Sequence, residues 1–177
     1  MKSMDVTIKG ISPLLMYKFP ALAIEALEKK SAEEQAEISA YRNDAGNLCI
    51  PGVNLQRSLI SAATFSKGKG RASLQKESAA CLMVEEANLD LGKKEYAVDT
   101  RPVVIPSTKG RVLRHRPRLD AWETSFTLIF DETLMTEKQV RKIIDDCGSR
   151  VGLLDFRPER KGPYGRFMVT KWNAKEQ

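Results

Sequence analysis

The chain has 177 residues, 42% hydrophobic and 29% charged, with a formal net charge of +6 at pH 7. That is an ordinary globular composition, long enough for one domain (1–177) with a packed core. No stretch approaches the roughly 18 uninterrupted apolar residues of a membrane helix; the most apolar, "ISPLLMYKFPALAI" (11–24), is broken by Pro13, Lys18 and Pro20 and runs into an acidic segment rather than a cleavage site, so a cytoplasmic protein with no membrane partner is expected.

In chain order, "MDVTIKGI" (4–11) alternates apolar Val6 and Ile8 with Thr7 and Lys9, the period of a strand. "PALAIEALEKKSAEEQAEISAY" (20–41) is rich in Ala, Glu and Leu, but Leu22, Ile24, Leu27 and Ile38 make only a thin apolar stripe. It reads as a peripheral helix or helix pair, part of an acidic helical insertion over 20–45. After the turn "NDAG", "VNLQRSLISAATF" (53–65) places Leu55, Leu59, Ile60 and Ala63 at helical spacing, with Asn54 as its cap. "SKGKGR" (66–71) holds glycines between bases and no apolar anchor, the mark of a mobile loop. "ACLMVEEANLDL" (80–91) is expected as a strand from its position.

"RPVVIPSTKGRVLRHRPRL" (101–119) contains three prolines and short β-branched runs, which suit a projecting hairpin or loop within a basic insertion over 92–121. "WETSFTLIFD" (122–131) alternates cleanly, with Trp122, Thr124, Phe126, Leu128 and Phe130 on one face. "TEKQVRKIIDDCG" (136–148) is the clearest helix: Thr136 caps it, Val140, Ile143, Ile144 and Cys147 form its face, and Gly148 is expected to stop it. "GRFMVTKW" (165–172) is a final strand. The order βαββαβ predicts an α+β, ferredoxin-like fold: an antiparallel sheet with helices on one face and a basic hairpin inserted between the second and third strands.

Charge is segregated. Residues 57–76, 101–118 and 157–171 carry +5, +6 and +4, against −9 for the rest of the chain. Such segregation points to a polyanionic partner, most often nucleic acid. The candidate contacts are Arg57, Lys67, Lys69, Arg71, Lys109, Arg111, Arg114, Arg116, Arg118, Arg157, Arg160, Lys161 and Arg166. In an extended chain Arg114, Arg116 and Arg118 project to one side roughly 6.5–7 Å apart, close to the step of an extended nucleic-acid strand, so one arginine per phosphate is expected. Within "FRPERKGPYGRF" (156–167), Tyr164 stands among bases and is expected to stack on an unpaired base. Trp122 and Trp172 read as core or interface anchors.

Two segments together carry a family resemblance. "NDAGNLCIPGVNLQRSLISAA" (43–63) ends a strand in Ile50-Pro51-Gly52 and continues with Asn54, Leu55 and Arg57 into a helix. "GLLDFRPERKGPYGRFMV" (152–169) places Gly162, Gly165, Arg166 and Phe167 in a glycine-bearing loop before a closing strand. Both resemble the CRISPR-associated RAMP superfamily. The resemblance implies RNA binding, a backbone subunit of an antiviral ribonucleoprotein that polymerises along a guide strand, and a thumb-like hairpin where the basic insertion lies.

For catalysis the sequence offers two residues. His115, the only histidine, lies in the basic segment without a carboxylate nearby in sequence, and Asp44 sits where some members of the resembled superfamily carry a target-cleaving aspartate. Cys49, Cys81 and Cys147 lack the spacing of a zinc site or a disulfide framework and read as buried thiols. No cofactor or metal is expected. The expected function is sequence-independent binding of single-stranded nucleic acid, RNA before DNA, by a homo-oligomer or ribonucleoprotein subunit. Two alternatives stand beside it: a structural, virus-encoded assembly protein whose basic patch meets an acidic partner, and an RNA endonuclease.

Overall fold

The alternation at the amino-terminal end becomes β1 (Lys2–Gly10), which buries Met4, Val6 and Ile8. In this computed structural model, which describes residues 1–175, a two-residue strand follows, β2 (Leu14–Leu15). The acidic stretch forms two short helices, α1 (Ile24–Glu28) and α2 (Ala32–Ile38). Ser31 closes a capping box with Glu34, so the second helix starts afresh there. β3 (Cys49–Pro51) runs directly into α3 (Gly52–Ala62), which buries Leu55, Leu59 and Ala62.

The stretch at 80–91 departs from the expected strand. Its first two residues end a helix, α4 (Gln75–Cys81), and only β4 (Met83–Val84) and β5 (Asn88–Asp90) are extended. The cause is local: Glu77, Ala79 and Ala80 favour helix, and Ser78 and Cys81 supply its buried face. The basic segment forms a hairpin of β6 (Ala97–Val104) and β7 (Arg111–Leu119). β8 (Glu123–Phe130) buries the face read from its alternation, including Thr124.

α5 (Glu137–Asp146) opens on a capping box between Thr136 and Gln139. Gly148 does not stop it. The helix continues as a π turn over Cys147–Val151 and ends at Gly152, whose φ of 76° a side chain would strain. Gly148 serves packing instead, because a Cβ there would collide with the backbone of Phe167. β9 (Phe167–Ala174) closes the chain's order of elements.

The result is a mixed α+β structure with antiparallel sheets and five α-helices among the described residues. The main sheet has the order β4-β8-β1-β9; smaller sheets join β2-β7-β6 and β3-β5. Leu55 and Leu59 of α3 and Val140, Ile143 and Ile144 of α5 share one core with Met4, Val6, Phe126 and Leu128 of the sheet. The opposite face of the main sheet presents Asp5, Thr7, Ser125 and Lys171. Cys49, Cys81 and Cys147 are buried free thiols, and no described helix is long and apolar enough to cross a membrane.

Candidate nucleic-acid interface

Arg114, Arg116 and Arg118 of β7 do share one side, but they are not a free row. The hairpin register sets Arg101 opposite Arg114, Asp99 opposite Arg116 and Ala97 opposite Arg118, so a carboxylate lies among the guanidiniums. Asp99, only 4% exposed, accepts from Arg101 Nε and Nη2 at 2.7 and 2.9 Å and lies 3.4 Å from Arg118 Nη1. Arg116, also 4% exposed, lies 4.0 Å from Asp99 and pairs with Asp155 of the C-terminal loop. Arg118 takes Asp120 as well, at 2.8 Å. The expectation of one arginine per phosphate along 114, 116 and 118 is therefore corrected. Arg116 and Arg118 are ion-paired; Arg114 alone of the three has no carboxylate partner among the described residues. A buried guanidinium requires a partner charge, and here the partners come from outside the acid-free run. Burial pushes the Asp99 carboxyl up, but the hydrogen bonds and charge of Arg101, the charge of Arg116 and the hydrogen bond from Arg118 outweigh it and hold it below the usual carboxylate range.

Tyr164 is committed too. Its hydroxyl accepts from Arg101 Nη2 at 2.6 Å, its ring lies beneath the Arg101 guanidinium at 5.2 Å, and Phe156 packs against it at 5.9 Å. It anchors the C-terminal loop to the hairpin, in place of the expected free platform for a base. The loop folds back on itself through Leu153 N–H to Gly165 O and Tyr164 N–H to Phe156 O. Gly165, at φ 76°, meets the Leu153 backbone so closely that no Cβ fits.

This loop and α3 face each other across a polar cavity of about 390 Å³. From α3 come Asn54, Arg57, Ser58 and Ser61; from the loop come Asp155, Arg157, Glu159 and Arg160; Tyr17 and Tyr41 complete the wall. Arg157 is held by Glu159 at 2.9 Å and by the Leu154 carbonyl at 2.9 Å. Arg57 and Arg160 are exposed and form no ion pair among the described residues. Burial pushes the Tyr41 hydroxyl up, so it stays protonated and able to donate. Tyr17 joins the cavity to the hairpin, because the Arg114 guanidinium lies 4.4 Å above its ring.

Other predicted residues lie elsewhere. The 66–71 loop is a hydrogen-bonded turn rather than a loose segment, closed by Gly68 N–H to Ala72 O and Leu74 N–H to Ser66 O. Lys67, Lys69 and Arg71 are exposed there, and Lys69 borders a separate concavity with Thr136 and Gln139 at the start of α5. Lys109 and Arg111 are exposed at the hairpin tip. Lys161, left-handed at φ 64°, and Arg166, whose backbone N–H donates to Ser12 Oγ, are exposed but line no part of the cavity. His115 pairs through Nδ1 with Thr100 Oγ1 at 2.7 Å, and Asp44 is exposed in the turn that the Asn43 side chain closes. Neither meets an acid–base partner, and no group of three or more His, Cys, Asp or Glu gathers as a metal site among the described residues. Trp122 is a core anchor, its Nε1 donating to Ser12 O; Trp172 is half-buried and donates to Glu137.

Sequence reasoning missed Tyr17 and Tyr41, and took Asn54 for a helix cap. Pro51 occupies the cap position, and Asn54 lines the cavity. One signal was present: Asn54, Ser58 and Ser61 form a polar stripe at helical spacing, alongside the apolar stripe of Leu55, Leu59 and Ala62. A scan against protein-family models finds no match, and a search among curated proteins finds none either.

Proposed function

We propose that this protein binds single-stranded nucleic acid without sequence preference, RNA in preference to DNA, as a ferredoxin-like backbone subunit of the RAMP type. The strand order β4-β8-β1-β9, with α3 and α5 packed on one face, supports the ferredoxin-like reading. The β6–β7 hairpin, which falls between β4 and β8 in the chain, supports the comparison with a thumb.

One observation carries the proposal. Arg57 and Arg160, remote from each other in sequence, line one cavity with Tyr17 and Tyr41, and Arg114 lies over the ring of that Tyr17 from the hairpin side. Guanidiniums suit bidentate phosphate contact, and aromatic rings beside them suit stacked bases. The open face of the main sheet has no aromatic ring among its described residues, so stacking belongs to the cavity. With Lys109 and Arg111 at the hairpin tip, the binding path offers five cations that form no ion pair among the described residues. At ~0.7 per phosphate on a single strand, log K falls against log salt with a slope near −3.5. Gel shifts of an RNA oligomer at several salt concentrations read that slope directly; a flat dependence overturns the proposal.

Self-association belongs to the same reading. An apolar groove between α1–α2 and the hairpin exposes Phe19 (84%), Leu22, Ile24 and Leu113, with Glu25 and Glu28 beside it. The basic 66–71 turn, flanked by exposed Phe65 and Leu134, is its complement in charge and in apolar surface. A groove-to-turn contact between copies is head-to-tail and propagates into a filament.

A further inference from the structure

The cavity between α3 and the C-terminal loop contains a group that phosphate binding does not use. Ser58 lines it at 5% exposure, and its hydroxyl makes no hydrogen bond among the described residues. A buried helical serine commonly satisfies itself on the carbonyl one turn back. Even the exposed Ser149 bonds in this way, donating to Asp145 O at 3.0 Å, but Ser58 does not. The Ser58 hydroxyl is not sealed in the core but opens onto the cavity, free to meet a water or a ligand there.

Asp155 lines the same cavity. One of its carboxylate oxygens takes Arg116, and its side chain remains 31% exposed. A phosphate placed against Asp155 meets a like charge, so the part of the cavity between Asp155 on the loop and Ser58 on α3 is unsuited to the anionic part of a strand. It suits a neutral hydroxyl, which donates to the carboxylate and accepts from the serine. At about 390 Å³ the cavity has room for on the order of ten waters, and so for a furanose ring.

Resting on the strand-binding reading above, we propose that this cavity receives the sugar of one nucleotide and reads its 2′-hydroxyl through Ser58 and Asp155. The flanking phosphates lie toward Arg57 and Arg160. A 2′-hydroxyl is the group that distinguishes RNA from DNA, and a deoxyribose leaves Ser58 unsatisfied. The site thereby selects RNA without reading a base.

The test uses the full chain and three labelled oligomers of equal length: oligouridine, oligodeoxyuridine and 2′-O-methyl oligouridine. Fluorescence anisotropy at one salt concentration measures each affinity for the wild type and for Ser58→Ala. Alanine removes only the hydroxyl and is the best helix former, so α3 is preserved. The expected result is RNA bound roughly three- to tenfold more tightly than DNA, the net worth of about one hydrogen bond. The 2′-O-methyl strand loses that advantage, and in Ser58→Ala the ratio of RNA to DNA affinity falls toward one. Equal affinities in the wild type, or a preference that survives both changes, overturn the ribose site while strand binding stands. Failure of every strand to bind overturns both.

Discussion

Asp99 shows how a basic segment is made foldable. One buried carboxylate meets Arg101, Arg116 and Arg118, and without it the buried Arg116 keeps only Asp155. Removing one partner of a buried ionic cluster costs about 3–5 kcal/mol, so Asp99→Ala should lower the urea midpoint by that stability, whereas Arg114→Ala should leave the midpoint nearly unchanged and weaken RNA binding. The pH dependence follows from the same group. The Asp99 carboxyl is held below its ordinary value in the folded state, so the unfolded chain takes up the proton first as pH falls. Its stabilisation is complete above an unfolded pKa of about 4 and is lost as pH drops through the lower folded value. Glu37, held down by its hydrogen bonds from Arg42, acts in the same direction. Urea unfolding between neutral and acidic pH should show this acid loss in the wild type and a shallower one in Asp99→Asn; parallel curves would contradict it.

The hairpin is an element with a fixed base and a free tip. Its base is tied to the C-terminal loop by Arg101 with Tyr164 and by Arg116 with Asp155, and α2 packs on β7. Toward the tip, Pro106, Ser107, Thr108, Lys109 and Gly110 are all exposed, and the turn is held by Ile105 N–H to Gly110 O. The double change Lys109→Glu and Arg111→Glu touches no part of the tied base. It should reduce the salt slope by roughly 1.4, two phosphates at ~0.7 each, with the circular dichroism spectrum and melting temperature preserved. An unchanged slope would remove the tip from the binding path and leave the cavity as the contact.

Over the whole molecule, opposite charges occupy different regions. Glu25, Glu28, Glu33 and Glu34 are exposed on α1–α2 beside the apolar groove, while Lys67, Lys69 and Arg71 are exposed on the turn after α3. Like patches repel and unlike patches attract, which favours contact between different faces of two copies over a symmetric dimer. Light scattering should show mass rising with protein concentration and rising further with RNA. Leu113, 58% exposed in the groove, contributes little to the core, so Leu113→Glu should abolish the rise while leaving the fold intact. A wild type that stays monomeric with and without RNA would remove assembly from the reading.

Much was legible in the chain because periodicity is a local property. Alternation over 122–130 named the buried face of β8, helical spacing named Val140, Ile143 and Ile144, and prolines between β-branched runs marked the hairpin. Residues 80–91 failed because a helix end and two short strands share a run too brief for any period to declare itself. The clustering of cations was also visible, but their employment was not. Asp99 and Asp155, which commit Arg116, lie 17 residues before it and 39 after it. Tyr17, Arg57, Arg114 and Arg160 become neighbours only when strand register and helix packing bring their segments together. Sequence by itself determined which side of β1, β8 and α5 faces the core and that the chain carries surplus positive charge. Tertiary structure alone decided which charges are neutralised and which remain free around a cavity, because a charge takes its partner by distance in space and not by separation along the chain.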